Sequence, residues 1–406
     1  MVNYQLLKKR IQTQFLSSLD YSKEMTDEEI GERIDEMIMD DCTFRCLPME
    51  ARHKLRREIF FSIRKLDLLQ ELVDDPAVTE IMINGTESIF VEKDGRLFQW
   101  EENFEKEKLE DIIQQIVAEC NRVVNEASPI VDARLQNGSR VNIVMKPVAL
   151  NGPAVTIRRF PERPVQMEDL IRFGSISMEA AEFLHKLVRA KYNIFISGGT
   201  GSGKTTFLNV LSAYIPKDER VITIEDSAEL QIQNIPNLVR LETRNSNVEG
   251  CEPISIRDLI KTALRMRPDR IVVGEVRGSE ALDMLQAMNT GHDGSLSTGH
   301  GNTARDMLSR LETMVLMGME LPLAAIKKQI ASGIDILVHL GRLRDKSRKV
   351  LQIAEITGYE AGEIATHVLY EFEEEGEDKE GRIVGKLIQK GGLVHEEKLH
   401  AAGITI

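Results

Sequence analysis

Apolar positions change their period twice along the chain, and each change marks a different kind of structure. Residues 1–65 are charged and helix-patterned. Thr26-Asp-Glu-Glu29 reads as a capping box, in which a hydroxyl and a carboxylate satisfy the free N–H groups at a helix start. Ile30, Ile34, Met37 and Ile38 follow at helical spacing, and a second helix is expected over 49–64. From residue 66 the pattern turns to short alternating runs. Thr79–Gly85 reads as a strand entering a turn, and Ile89–Leu97 as a hairpin around Asp94-Gly95. A helix fits 106–124. Strands over 139–146 and 153–160 are joined through Asn151-Gly152-Pro153. Residues 66–160 therefore read as a small α+β domain behind an N-terminal helical segment, 1–65.

Two prolines in Pro161-Glu-Arg-Pro164 mark a linker, 161–165. After it, apolar strand runs alternate with helices over 166–406. Strands are expected at 193–197, 221–225, 271–276, 295–299 and 335–340, with helix caps at Ser255 with Asp258 and Thr303 with Asp306. Such alternation predicts an α/β domain with a mainly parallel sheet covered by helices, ending in a C-terminal tail. The acidic stretch Glu371–Glu380 reads most simply as a solvated loop, while it and the tail beyond it could instead form a local hairpin or dock on a neighbouring subunit.

Bulk properties narrow the functional classes. A chain of 406 residues suggests two or three domains, and 42% hydrophobic residues suffice for a core. The net charge of −13 makes nucleic acid a poor default partner, because phosphate binding needs clustered Lys and Arg. Cys42 and Cys46 lack a second pair at metal-ligand spacing, so they and the other two cysteines, Cys120 and Cys251, read as reduced thiols. No apolar run reaches about eighteen residues, and the N-terminus lacks a signal-peptide core. The expected location is the cytoplasm, with any membrane contact peripheral.

The chemistry sits after the first strand of the α/β domain. Gly198, Gly199, Thr200, Gly201, Ser202, Gly203, Lys204 and Thr205 match the phosphate-loop pattern G-x-x-x-x-G-K-[ST] at every fixed position. Glycines let such a loop turn its N–H groups onto phosphate, and the following helix, from Thr206, adds its N-terminal partial charge. Lys204 would reach the β- and γ-phosphates, and Thr205 would bind Mg²⁺. Glu275 ends the apolar run Arg270–Glu275, at the strand edge where ligands bind in open α/β sheets. Position 274 is Gly where many such enzymes carry Asp, so Glu275 takes both the magnesium and the water-orienting task. Glu225, with Asp226 and Glu229, ends another strand and is a further metal and catalytic candidate. His300, in Ser297–Gly301, could sense the γ-phosphate, whereas His292 carries a weaker signal.

Four segments in this order resemble the type II/type IV secretion ATPase superfamily, nearest to the CpaF/TadA-type ATPases of Flp (Tad) pilus assembly. Gly198–Thr206 resembles the Walker A segment, Val221–Leu230 the aspartate box, Met266–Arg277 the Walker B region and Gly299-His300 the histidine box. Glu80–Gly85 and Ser128–Asn142 resemble the N-terminal domain of that family. The resemblance covers the chain from about residue 66 onward. It implies a RecA-like P-loop NTPase domain, a homo-hexameric ring, ATP with Mg²⁺ bound between the two domains, and arginine fingers from the N-terminal domain. Arg140 and Arg158 are the first choices, ahead of Arg134 and Arg159. It further implies domain motion passed to an inner-membrane platform protein, with pilin or a secreted protein as load.

Three rivals share parts of this signature. A RecA-like helicase or translocase would need a basic, aromatic strand-binding surface, which −13 net charge and 5% aromatics disfavour. A GTPase would need an Asn/Thr-Lys-x-Asp motif, which is absent, and nothing indicates a kinase acceptor site. A nucleotide-gated scaffold with little turnover is the non-enzymatic alternative.

Overall fold

The computed structural model describes residues 4–18, 25–40, 48–93, 96–104, 106–160, 163–244 and 252–405. The chain divides into two compact units whose boundary in sequence falls at residue 162. The Asp94-Gly95 turn, Cys42, Cys46, Cys251 and Pro161-Glu162 of the expected linker lie outside the described residues.

The first unit opens on helices α1 (Tyr4–Ser18), α2 (Asp27–Asp40) and α3 (Met49–Arg64). The expected capping box starts α2. Thr26 N donates to Glu29 Oε2 at 2.7 Å, and Glu29 N donates to Thr26 Oγ1 at 3.3 Å. Ile30, Ile34 and Ile38 form one stripe of α2 and bury against Ile11, Phe15, Leu55 and Ile59.

A short helix α4 (Leu68–Asp74) leads into a six-stranded antiparallel sheet. Its strands are β1 (Val78–Asn84), β2 (Ile89–Lys93), β3 (Arg96–Trp100), β4 (Ile130–Arg134), β5 (Arg140–Val144) and β6 (Ala154–Arg158), in the spatial order β3-β2-β1-β6-β5-β4. Alternation decides the faces. Ile81, Ile83, Val141, Ile143, Val155 and Ile157 pack on Leu109, Ile113 and Ile116 of helix α5 (Lys106–Glu119). Arg140, Asn142, Thr156 and Arg158 take the opposite face. Helix α5 stops at Glu119, short of residue 124, because Asn121 adopts φ 52° and Arg122 N turns back to Val117 O at 2.8 Å. Strand β4 was not anticipated, since exposed Ile130 beside buried Val131 obscures its alternation.

The second unit carries helices α6 (Met167–Arg172), α7 (Met178–Arg189), α8 (Lys204–Ser212), α9 (Ile256–Ala263), α10 (Glu280–Asn289), α11 (Ala304–Gly318), α12 (Leu323–Gly333) and α13 (Glu397–Ala401). They surround a nine-stranded sheet of β7 (Ile194–Gly198), β8 (Val221–Glu225), β9 (Leu238–Glu242), β10 (Arg270–Val276), β11 (Leu296–His300), β12 (Ile336–Arg342), β13 (Arg348–Glu360), β14 (Glu363–Glu377) and β15 (Ile383–Gln389). The order is β15-β14-β13-β12-β7-β11-β10-β8-β9. From β12 to β9 neighbours run parallel, and β12 to β15 form an antiparallel meander. The mainly parallel α/β architecture thus stands, extended by strands that the sequence reading did not foresee.

Helices on both faces explain the unbroken apolar runs. Every residue of β7 and β8 is buried. Ile194 and Ile196 pack with Leu184, Leu187, Leu208 and Leu211 of α7 and α8, whereas Phe195 packs with Leu285, Met307 and Leu311 of α10 and α11. Helix α9 starts with a reciprocal box, Ser255 N donating to Asp258 Oδ2 at 3.0 Å and Asp258 N to Ser255 Oγ at 3.3 Å. Helix α11 has the one-way cap, Asp306 N donating to Thr303 Oγ1 at 3.0 Å.

The acidic stretch corrects the loop reading in favour of the local hairpin. Glu371–Glu377 is not a loop but the end of β14, paired with β15 and, at Glu371, with β13. Successive glutamates on both sides of the strand erase the alternation that would announce it. The carboxylates are held by cations on neighbouring elements: Glu375 by Lys386 at 3.0 Å, Glu373 by Lys390, and Glu374 and Glu377 by Arg344. Leu369 and Tyr370, earlier in the same strand, are buried in the core.

Candidate functional site

The parallel pairing brings four strand ends to one edge. Gly198 of β7 lies opposite His300 of β11, Gly299 opposite Val276 of β10, and Val273 of β10 opposite Ile224 of β8. The residues that end these strands, or begin the loops after them, are the ones the motif reading selected.

Gly198–Gly203 forms the turn from β7 into α8. Gly201 and Gly203 have φ of 71° and 93°, which side chains rarely adopt. A Cβ at Gly198 would lie 2.5 Å from both Leu340 O and Ser202 Oγ, so only glycine fits there. Gly203 offers no side-chain cap, and the first N–H groups of α8 therefore face the loop unmasked. Ser202 Oγ donates to Gly199 O at 2.8 Å and Lys204 Nζ to the same oxygen at 3.1 Å. Thr205 is half-buried and Thr206 exposed at the start of α8, and Thr200 lies on the loop.

Lys204, His300, Glu275 and Arg277 form a chain of contacts across the mouth of this loop. Lys204 Nζ is 3.2 Å from His300 Nδ1. His300 Nε2 is 2.8 Å from Glu275 Oε1, an ion-pair distance without hydrogen-bond alignment, so Oε1 has no hydrogen-bond partner among the described residues. Glu275 Oε2 accepts from Arg277 Nη2 at 2.7 Å and Nε at 3.0 Å. Burial lowers the pKa of Lys204 and that of His300, and the nearby Glu275 charge opposes both shifts. Since an ammonium only donates, His300 presents Nδ1 as acceptor to Lys204 and carries its proton on Nε2, facing Glu275. Hydrogen bonding to Glu275 raises the pKa of Arg277 further above its ordinary value.

Glu225 sits deeper, 3% exposed. Its Oε1 accepts from Glu229 N at 2.8 Å and Leu230 N at 2.7 Å, and its Oε2 has no partner among the described residues. Burial pushes its pKa up to about 7. A Cβ at Gly274 would stand 3.0 Å from Glu225 Cγ. The glycine at 274 therefore makes room for a carboxylate that arrives from the neighbouring strand. Among the described residues no group of three or more His, Cys, Asp or Glu side chains is placed to hold a metal ion. Asp226 contacts Arg277 Nη1 at 3.9 Å, and His292 lies in the turn before β11, where its carbonyl accepts from Ser295 Oγ at 2.7 Å.

Arg140 and Arg158, in the first unit, stand side by side. The register aligns Glu80, Arg158, Arg140 and Arg134 in one row across β1, β6, β5 and β4. Arg134 donates to Gly138 O at 3.1 Å. Arg159 points elsewhere and donates to the carbonyls of Asp75 and Val78. Sequence reasoning gives no role to Arg277, although it lies inside the segment that resembles a Walker B region, or to Arg342 and Arg348, which flank the Gly198–Gly203 loop. For the last two no local signal exists, because the proximity arises only from strand pairing.

A family model described as type II/IV secretion system protein matches residues 63–378. The chain is 34% identical over 294 residues to a putative conjugal transfer protein of Mycobacterium tuberculosis, covering 71% of this chain and 83% of that one. It is 32% identical over 321 residues to the conjugal transfer protein TrbB of Rhizobium radiobacter, covering 77% and 96%. Among solved structures, that of the pilus retraction motor PilT with bound ADP shares the fold, with a TM-score of 0.51, 18% identity and coverage of 83% of this chain and 86% of that one. No helix among the described residues is long and apolar enough to cross a membrane.

Proposed function

Because this chain belongs to the type II/IV secretion system protein family, we propose that it is a motor ATPase, hydrolysing Mg-ATP at Gly198–Thr205 to drive Flp/Tad-type pilus assembly or protein secretion. The observation that carries this reading is the contact chain Lys204–His300–Glu275–Arg277 at the mouth of the loop. Lys204 and the α8 N–H groups neutralise the triphosphate. Glu275 orients and deprotonates the attacking water, with Oε2 steadied by Arg277 and Oε1 beside His300 Nε2 at 2.8 Å. His300 lies between Lys204 and Glu275 and registers the γ-phosphate.

The donor set fits magnesium. Mg²⁺ is usually held by one or two carboxylates with phosphate oxygens and waters. Thr205 and Glu275 would hold it, with Glu225 in support, and Oε1 of Glu275 and Oε2 of Glu225 are carboxylate oxygens with no hydrogen-bond partner among the described residues. Bound there, the ion would neutralise charge on the phosphate oxygens. Arg140 and Arg158 add cationic stabilisation from the 66–160 domain. The working assembly is a homo-hexamer at the cytoplasmic face of the inner membrane, acting on a platform protein there, with no nucleic acid involved.

The test is a pair of variants. Glu275→Gln retains ATP binding and loses turnover by about a hundredfold or more, the usual worth of a general base. Lys204→Ala loses nucleotide affinity as well. Normal hydrolysis by Glu275→Gln would overturn the role given to that residue, and unchanged binding by Lys204→Ala would overturn the phosphate-loop assignment.

A further inference from the structure

The hairpin between β12 and β13 projects beyond the same sheet edge as the phosphate loop. Leu340 of β12 lies opposite Gly198 of β7, so the residues after Leu340 run past the loop. Arg342 and Arg348 are cross-strand partners at the base of this hairpin. Arg348 Nε donates to Gly201 O at 2.9 Å, and its Cδ is 3.4 Å from where a Cβ on Gly203 would stand. Arg342 Nη1 is 3.6 Å from the corresponding position on Gly201. Two guanidinium groups thus sit at the lip of an anion-binding loop, on the two glycines with left-handed φ.

The hairpin is itself braced. Arg344 makes a forked contact with Glu374, at 2.8 Å and 2.5 Å, and donates to Glu377 at 2.7 Å. Asp345 Oδ2 accepts from Ile383 N at 2.8 Å, while Oδ1 accepts from Ser347 N and Oγ at 2.9 Å and 2.6 Å. The glutamate-rich end of β14 and the start of β15 therefore hold the turn that carries Arg342 and Arg348.

We propose that this hairpin is a positioning element of the nucleotide site, in which Arg348 fixes the Gly201 peptide, Arg342 adds a cation at the same lip for the triphosphate, and acidic β14 sets both through Arg344. The inference rests on the phosphate-loop reading above. In a trans peptide the C=O and the next N–H point in opposite directions. Holding Gly201 O on Arg348 turns Ser202 N–H the opposite way, where it donates to Gly199 O at 3.3 Å and closes the turn of the loop. Without Arg348 the Gly201–Ser202 peptide keeps only the Ser202 N–H bond to Gly199 O, and more of the loop's ordering falls on each binding event. Affinity then falls while the chemical step, which belongs to Glu275, is preserved.

The test measures binding of a fluorescent ATP analogue with Mg²⁺, together with ATPase kcat and KM, on the full chain. Arg348→Ala and the double variant Glu374→Gln/Glu377→Gln each weaken binding and raise KM by about tenfold, the scale of one charge-assisted hydrogen bond, with kcat within about twofold. Arg342→Ala weakens binding in the same direction. Re-forming the clamp with opposite signs, Arg344→Glu with Glu374→Arg and Glu377→Arg, restores affinity relative to Arg344→Glu alone, which controls for mere loss of stability. Wild-type affinity and KM in Arg348→Ala and in the Glu374/Glu377 variant would overturn the inference, as would failure of the swap to restore binding. If the wild-type chain binds no nucleotide at all, the phosphate-loop reading falls and takes this one with it.

Discussion

Glu225 shows how one residue's surroundings set its chemistry. Its carboxylate is buried beneath Gly274, with one oxygen satisfied by two backbone N–H groups and the other without a partner among the described residues. Burial raises its pKa from an ordinary 4.5 to about 7. An acid raised in this way binds its proton more tightly in the folded chain than in the unfolded one. Its contribution to stability is therefore full below the unfolded value and is lost as pH rises toward the folded value. Metal-free thermal unfolding from about pH 5 to about pH 8 should cost the wild type more than Glu225→Gln, because glutamine cannot ionise. Parallel Tm profiles for the two would refute this assignment. The sequence shows the glycine at 274 but not its cause, since the two residues are neighbours only through β8–β10 pairing.

Strand β10 places Glu275 and depends on a charge at its other end. Arg270 is fully buried and pairs with Glu219, with Nη2 at 3.0 Å from Oε1, while Nη1 donates to Val188 O at 2.7 Å. Breaking a buried pair leaves the other charge uncompensated. Arg270→Leu should therefore lower stability by about 3–5 kcal/mol in denaturant unfolding, and adding Glu219→Leu should recover part of that loss. A full-strength single variant would show that the pair does not anchor the strand. Local pattern predicts β10 well because four consecutive apolar or small residues, Ile271–Gly274, follow Arg270, with Val276 beyond the single charge of Glu275. It fails at the glutamate-rich end of β14, where apolar alternation is missing and cations on neighbouring elements do the holding. Capped helices such as α2, α9 and α11 were legible because a cap is a bond between residues three apart.

The proposed motor needs more cations on the triphosphate than Lys204 alone provides. Arg140 and Arg158 form a row with Arg134 on the face of the antiparallel sheet opposite its apolar core. Residues on that face do little for the core, so Arg140→Ala with Arg158→Ala should leave the unfolding midpoint almost unchanged. Turnover should fall by about a thousandfold if both act as arginine fingers. Full ATPase activity in the double variant would remove them from the mechanism. Arg159, a candidate ranked behind them on sequence, separates from them in the structure because its guanidinium donates to the backbone carbonyls of Asp75 and Val78.

Local residues were enough to specify the glycine-rich loop proposed to bind phosphate. The φ values demanded at Gly201 and Gly203, the lysine that follows and the helix start at Lys204 are all contained in one short stretch, and backbone sterics act over that range. The company the loop keeps is another matter. His300 reaches Lys204 from 96 residues away, and Arg348 reaches Gly201 from 147. Both approaches follow from which strands lie side by side and in what register. The buried strands of this sheet are near-continuous apolar runs, and one such run fits beside another almost equally well. Their order is settled by the helices that cover both faces and by the connections between strands, which no single segment encodes.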